Sequence, residues 1–320
     1  MHRLRARLIA LARDPVSPGA YRVVAAVALI ALGAIVVSGA AVRLTGSGMG
    51  CPTWPTCENG SIVPRGATGG HGWVEFLNRV FTGAVSLAVA VAVLASRRRQ
   101  PRRADLTALS WGLVAGVFAQ ALLGGLVVIL HVAPIAVAGH YLLSAVLVAD
   151  GVVLLHRAGL PDGPRRAAAT PALLRWSRGL VALGGLVLVT GTLVTGSGPH
   201  GGDEAADRLP FAVRTVVPLH SGAVWAFLVV AMVVLYRAER GDVAPDALGR
   251  GRVLIGAITA QGGLGYLQYF TGVPEGLVGL HVLGSVLVWV AVLRFHLGLS
   301  EPTASRPVPD ARPPVAVAVA

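Results

Sequence analysis

The same arrangement of polar residues occurs twice inside long apolar stretches of this chain. Gln120 and His140 lie 20 residues apart in a glycine-rich apolar stretch, and Gln261 and His281 repeat that spacing in a second one. A Thr-Gly-Ser-Gly run at Thr45 to Gly48 returns at Thr195 to Gly198. Asn78 precedes His140 by 62 residues, and His220 precedes His281 by 61. A repeat of this length in apolar sequence predicts a duplicated membrane bundle with intramembrane histidines at equivalent places in its two halves.

The balance of residues supports a membrane reading. Of 320 residues, 54% are hydrophobic and only 13% are charged. The net charge of +12 would suit a nucleic-acid binder, but the charge is sorted by loop, and no nucleic-acid partner is expected. All 27 basic residues are arginine, as a GC-rich genome would give. Eight spans of about 18 to 25 residues fit a bilayer. They fall at 21–44, 74–96, 106–130, 136–157, 178–196, 212–236, 253–272 and 277–298. Arginines crowd the connections after the second span (Arg97, Arg98, Arg99, Arg102, Arg103), the fourth (Arg157, Arg165, Arg166, Arg175, Arg178) and the sixth (Arg237, Arg240, Arg250, Arg252). The positive-inside rule then places both termini in the cytoplasm of a multi-pass cell-membrane protein. The basic start runs into a first span too long for a signal peptide, so an uncleaved first helix is expected.

The expected fold is all-α and integral to the membrane. Four spans per half give both halves the same orientation, so eight transmembrane helices form two tandem four-helix bundles related by a pseudo-twofold axis along the membrane normal. The expected organisation is a cytoplasmic basic N-terminus over 1–20, a first bundle over 21–157 and a cytoplasmic linker over 158–177. A second bundle follows over 178–298, and a disordered cytoplasmic tail over 299–320.

This topology puts Asn78, His140, His220 and His281 in the outer parts of their helices, with Glu75 one turn before Asn78 on the same helix face. Ionisable groups inside a membrane are costly and face a bundle interior or a site. Neutral imidazoles of His220 and His281 from two helices can bind haem iron from both sides; a hydrogen-bonded structural pair is the plain alternative. The first half departs from the second, because Asn78 stands where His220 is expected. It offers one iron ligand, His140, and a carboxylate, Glu75. That asymmetry suits one half holding a permanent cofactor and the other a substrate. Arg79 and Arg214, at outer helix ends, are expected to anchor propionate carboxylates. His71, His131 and His200 cap the outer side, and His156 and His296 sit at cytoplasmic helix ends, where snorkelling accounts for them. Asp150 is the one acid well inside a span. Cys51 and Cys57 lie in an outer loop, spaced unlike a zinc pair. One reading is a disulfide that staples the loop; another is an exposed, redox-active pair.

The chain resembles the haem A synthases. The residues that carry the resemblance begin with Arg43-Leu44-Thr45-Gly46-Ser47-Gly48, Gly50-Cys51-Pro52, Trp54-Pro55 and Glu75-x-x-Asn78-Arg79. They continue with Gln120-x-x-Leu123-Gly124-Gly125, Ala138-Gly139-His140, Thr195-Gly196-Ser197-Gly198-Pro199-His200, Leu219-His220, Gln261-x-x-Leu264-Gly265 and Leu280-His281. The likeness spans about 30–298. It implies an oxidoreductase that turns the C8 methyl of haem O into the formyl group of haem A by successive hydroxylation. It implies haem b on His220 and His281, substrate haem O facing His140, Glu75 as the essential acid, and one cysteine pair in the first loop. Implied partners are the lipid bilayer, a haem O synthase, cytochrome oxidase assembly factors and an electron acceptor. Where the family most often has Glu-x-x-His-Arg, this chain reads Glu75-Phe76-Leu77-Asn78-Arg79, so the ligand role in this half rests on His140 alone. A di-haem electron-transfer cytochrome of the b561 type is the alternative reading, and Asn78 argues against it.

Overall fold

The computed structural model describes residues 14–162, 169–241 and 243–300. The basic start over 1–13, most of the expected linker at 163–168 and the tail over 301–320 lie outside the described residues. Among the described residues the chain is all-helical, with eight helices and no sheet. They are α1 (Pro18–Leu44), α2 (Gly69–Arg98), α3 (Ala104–Ile129), α4 (Pro134–Ala158), α5 (Pro171–Ser197), α6 (Val213–Glu239), α7 (Pro245–Phe270) and α8 (Glu275–Gly298).

Each expected span lies on a helix, and the helices are longer than the apolar runs at their arginine-bearing ends. The start signals explain this. Ser17 and Thr170 cap α1 and α5 through their side chains, accepting from Ala20 N at 3.2 Å and Leu173 N at 3.3 Å. Prolines open α1, α4, α5 and α7, where a missing N–H costs nothing. Hydropathy marks where lipid begins; capping marks where the helix begins, a turn or two earlier.

Seven helices are long and apolar enough to cross a membrane, and the chain is a multi-pass membrane protein. The exception is α7, expected to span over 253–272. It is long enough, but Asp246, Arg250, Arg252, Gln261 and Gln268 dilute its apolar content. Its outer face is still apolar: Val253 is 66% and Phe270 77% exposed.

Neighbour contacts set where any site can lie. Helices α1, α2, α3 and α4 touch in sequence, and α4 closes back on α1. The four helices α5, α6, α7 and α8 make the same closed ring. Among the described residues, diagonal members of each ring, α2 with α4 and α6 with α8, do not touch. The rings meet through α4 on α8, α1 on α8 and α4 on α5. Tyr141 and Ser285 share a hydrogen bond across this seam at 2.9 Å, and Trp289 Nε1 donates to the Ala145 carbonyl at 2.8 Å.

Both short turns at the end bearing the cysteine loop adopt left-handed backbone. His131 and Val132 have φ of 49° and 60°; Gly272 and Val273 have 81° and 59°. A β-branched residue there is strained, and each turn recovers a bond that closes the preceding helix: Val132 N–H on Val127 O at 2.8 Å, and Val273 N–H on Gln268 O at 2.7 Å.

Candidate functional site

The candidate site is built from helices that stand opposite each other. His220 is carried by α6 and His281 by α8, a diagonal pair; Asn78 is carried by α2 and His140 by α4, the other diagonal pair.

Each imidazole is braced by the neighbouring helix. Gln261 Nε2 donates to the His281 carbonyl at 2.7 Å, and Gln120 Nε2 donates to the His140 carbonyl at 3.0 Å. Those bonds account for the repeated glutamine–histidine spacing: they fix the histidine's backbone and leave its ring free. A Cβ at Gly265 would lie 3.1 Å from His281 Cε1, and one at Gly124 would lie 3.3 Å from His140 Cε1. The His220 ring packs against α5: Thr190 Oγ1 and His220 Nδ1 are 3.0 Å apart, and a Cβ at Gly191 would lie 3.3 Å from His220 Cε1. Asn78 has no such ring to present, and its Oδ1 accepts from Ser38 Oγ of α1 at 2.7 Å.

These residues fit a haem. His140 Nδ1 and His281 Nδ1 are buried without a hydrogen-bond partner. The contact of His220 Nδ1 with Thr190 Oγ1 leaves its Nε2 as the nitrogen that could ligate an iron, with the ring orientation set through the other nitrogen. Neutral imidazoles on diagonal helices of a four-membered ring are a donor set suited to an iron between them. Among the described residues no group of three or more His, Cys, Asp or Glu could hold a bare metal ion.

Glu75 is buried at the start of α2, 7% exposed. Its Oε2 accepts the Cys51 N–H at 2.7 Å, and its Oε1 pairs with Arg79 Nη2 at 2.6 Å. Arg79 also donates to the carbonyls of Thr56 at 3.0 Å, of Cys51 and Thr53 at 3.3 Å and of Pro55 at 3.5 Å. Its guanidinium is therefore committed to the carboxylate and to the cysteine loop. Arg214, in the first turn of α6, is exposed and forms no hydrogen bond or ion pair among the described residues.

Cys51 and Cys57 are joined, with sulfurs 2.02 Å apart. Both are 0% exposed, so the reading of an exposed pair is not what the structure shows. The loop folds over them because its backbone is tied down from several sides. Glu58, a residue the sequence reading passed over, is the second anchor. It accepts N–H bonds from Arg65 at 2.8 Å and from Ala67 and Thr68 at 3.4 Å, and the Thr68 hydroxyl at 2.9 Å. These donors, the Arg65 N–H foremost, hold its carboxyl below the usual 4.5. Its only sequence signal is that it is the sole acid between Cys57 and Glu75.

The remaining histidines separate. His71, in the first turn of α2, has its Nδ1 2.9 Å from Ser47 Oγ. His131 is exposed in its turn. His200 is 2.8 Å from the Val273 carbonyl through Nε2, and its own carbonyl accepts from Arg43. His296, expected to snorkel, instead meets Ser177 Oγ at 2.8 Å through Nδ1. Asp150 lies against α3, its Oδ2 2.7 Å from where a Cβ at Gly112 would stand, and its Oδ1 is buried without a partner. Arg99, which the sequence places among the arginines of the connection after the second span, is 1% exposed and paired with Asp162 at 3.1 Å.

Residues 22–200 match the family model of the cytochrome oxidase assembly proteins, COX15-CtaA. The chain belongs to that family. It is 31% identical over 166 residues to the heme A synthase of Lysinibacillus sphaericus, covering 50% of this chain and 53% of that protein. It is 30% identical over 148 residues to the heme A synthase of Shouchella clausii, covering 46% of this chain and 48% of that one. It is also 24% identical over 300 residues to a protoheme IX farnesyltransferase of Chloroflexus aurantiacus, covering 87% of this chain and 48% of that protein. The chain thus spans about half the length of the curated relatives it matches. The family match ends at His200, so His220 and His281 lie beyond it.

Proposed function

We propose that this chain is a haem A synthase, an oxidoreductase that converts the C8 methyl of haem O to the formyl group of haem A by successive hydroxylation. The observation that carries the reading is the inequality of two otherwise matched sites. One diagonal presents two braced histidines; the other presents His140, Asn78 and a buried carboxylate. Two equal bis-histidine sites, as a di-haem electron-transfer cytochrome would have, are not available with Asn78 in place.

His220 and His281 hold haem b, which supplies one-electron transfer when bound. Haem O is the substrate, taken into the ring of α1 to α4 with His140 on its iron-facing side. Glu75 is the proton acceptor near the methyl. Its Oε2 accepts a single N–H and keeps acceptor capacity for a proton, while Arg79 on Oε1 holds the carboxylate in place. Arg79 thereby acts on the acid, and any contact with a propionate uses donors it now spends on loop carbonyls. Arg214, unpaired and six positions before His220, is the freer cation for a propionate of haem b. The Cys51–Cys57 disulfide is a staple for the loop that holds Glu75.

The two rings are related by a pseudo-twofold axis along the membrane normal, the repeated glutamine–histidine and glycine–histidine contacts being the support. Helix α7 crosses the membrane with the others, its Gln261 turned to α8. Both termini are cytoplasmic, and the sites face the outer leaflet of the cell membrane. Haem O comes from a haem O synthase, a link in keeping with the farnesyltransferase whose sequence this chain partly matches. Haem A passes to cytochrome oxidase assembly, and electrons pass to an external acceptor.

The test is pigment analysis of the purified chain, expressed with and without a supply of haem O, by extraction and mass. Haem B alone in the control, with hydroxylated haem O and haem A on supply, is the expected result. Haem B alone under both conditions sinks the synthase reading in favour of the electron-transfer cytochrome.

A further inference from the structure

The loop between Cys51 and Cys57 is tied to α2 by Glu75 and Arg79, but α2 is not its only seat. The indole of Trp54 lies flat on Gly125 of α3: a Cβ at Gly125 would stand 2.6 Å from Trp54 Cδ2, 2.7 Å from Cε2 and 3.1 Å from Cε3. Real Cβ atoms do not approach so closely, so only glycine leaves the notch into which this ring fits. Gly125 is buried by the contact, while Trp54 keeps 40% of its surface open. The adjacent Gly124 is the residue in contact with the His140 ring. Two consecutive glycines of α3 thus touch, on one side, the imidazole expected to face the substrate and, on the other, the loop whose Cys51 N–H holds Glu75.

We propose that Trp54 is a positioning residue: seated in the Gly125 notch, it fixes the cysteine loop against α3 and so sets Glu75 relative to His140. The same seat seals the disulfide, whose two cysteines are 0% exposed although the loop lies outside the rings. An external thiol or phosphine reaches those sulfurs only when the loop lifts, and lifting it requires the indole to leave its notch. The seat follows from the contact; the seal is the part the labelling experiment tests, and the setting of Glu75 opposite a substrate rests on the synthase reading.

The experiment uses the full chain in detergent without added haem O. A phosphine reductant is applied, and newly freed cysteines are counted with a maleimide over time. The forms compared are the native chain, Trp54→Ala, Gly125→Ala, the double variant and Trp54→Phe, each carrying its haem b spectrum as the check on folding. Trp54→Ala and Gly125→Ala each accelerate labelling on the order of tenfold, the double variant goes no faster than either, and Trp54→Phe restores part of the protection. Labelling of Gly125→Ala at the native rate, or effects that add in the double variant, overturns the seat. With haem O supplied, Trp54→Ala lowers kcat more than it raises KM; unchanged conversion alongside accelerated labelling overturns the positioning of Glu75. Absence of conversion by the native chain counts against the synthase reading, and the labelling arm still decides the seat.

Discussion

At Glu75 groups distant in sequence converge on one carboxylate. The Cys51 N–H arrives from a loop, Arg79 from the next turn of α2, and burial removes water from both. Breaking an ion pair that is mostly but not wholly buried costs between the exposed and buried limits, on the order of 2 kcal/mol. Arg79→Gln is therefore expected to lower thermal stability by about that much and to lower haem O conversion. Unchanged melting, measured with haem b bound, would show that neither the Glu75 pair nor the loop carbonyl bonds of Arg79 stabilise the fold. Glu58 makes a different prediction because its carboxyl is held below its ordinary value. A depressed folded-state value contributes stability that is present above pH 4.5 and lost as the pH falls through the folded value. Protection of the disulfide from reductant should accordingly fall on acidification below pH 4.5 in the native chain. In Glu58→Gln it should be weaker at neutral pH and flatter through that acid range. Identical acid profiles for the two would remove Glu58 from the loop's anchorage.

At the scale of helices the repeated contacts are between neighbours, and they are made by glycine. Gly265, Gly124 and Gly191 each leave the space that an imidazole edge occupies, within 3.1 to 3.3 Å of a would-be Cβ. A methyl at Gly265 has to push the His281 ring or part α7 from α8. Gly265→Ala is expected to shift or bleach the haem b spectrum, whereas Gly263→Ala, with nothing within 4 Å, leaves it as it was. Equal spectra for both would mean that the ring gives way freely. Pro218 sits inside α6 two residues before His220 and removes one helical hydrogen bond there.

Across the whole molecule the two rings are held together by side chains at the seam and by a clasp of loops at one end. Gly48 N–H donates to the Gly202 carbonyl at 2.7 Å, Arg43 reaches the His200 carbonyl, and His200 binds the turn that precedes α8. Gly202 itself packs on Val132, so both strained turns touch one loop. A Cβ at Gly48 would meet the Gly202 oxygen at 2.8 Å. Gly48→Ala should cost about 1–3 kcal/mol, the range for forcing atoms into a filled contact. It should also lower the temperature at which haem b is lost; no change on heating would mean that the seam alone joins the rings.

The sequence by itself determined the helices and the polar residues worth attention. Apolar length requires helices in lipid, prolines and Ser17 or Thr170 start them, and the repeat marks Gln120, His140, Gln261 and His281 as equivalents. It also exposed the inequality at Asn78, because a repeat shows its own exceptions. Only the tertiary structure decided what those residues touch. The span lengths do not say which helices stand diagonal. The arginine-rich connection does not show that Arg99 is buried on Asp162. Nothing local in the sequence seats Trp54 on Gly125, or spends Arg79 on Glu75 and four loop carbonyls. Hydropathy and capping act along the chain and can be read from it; close approach between side chains and glycines far apart in the chain exists only once the helices have packed.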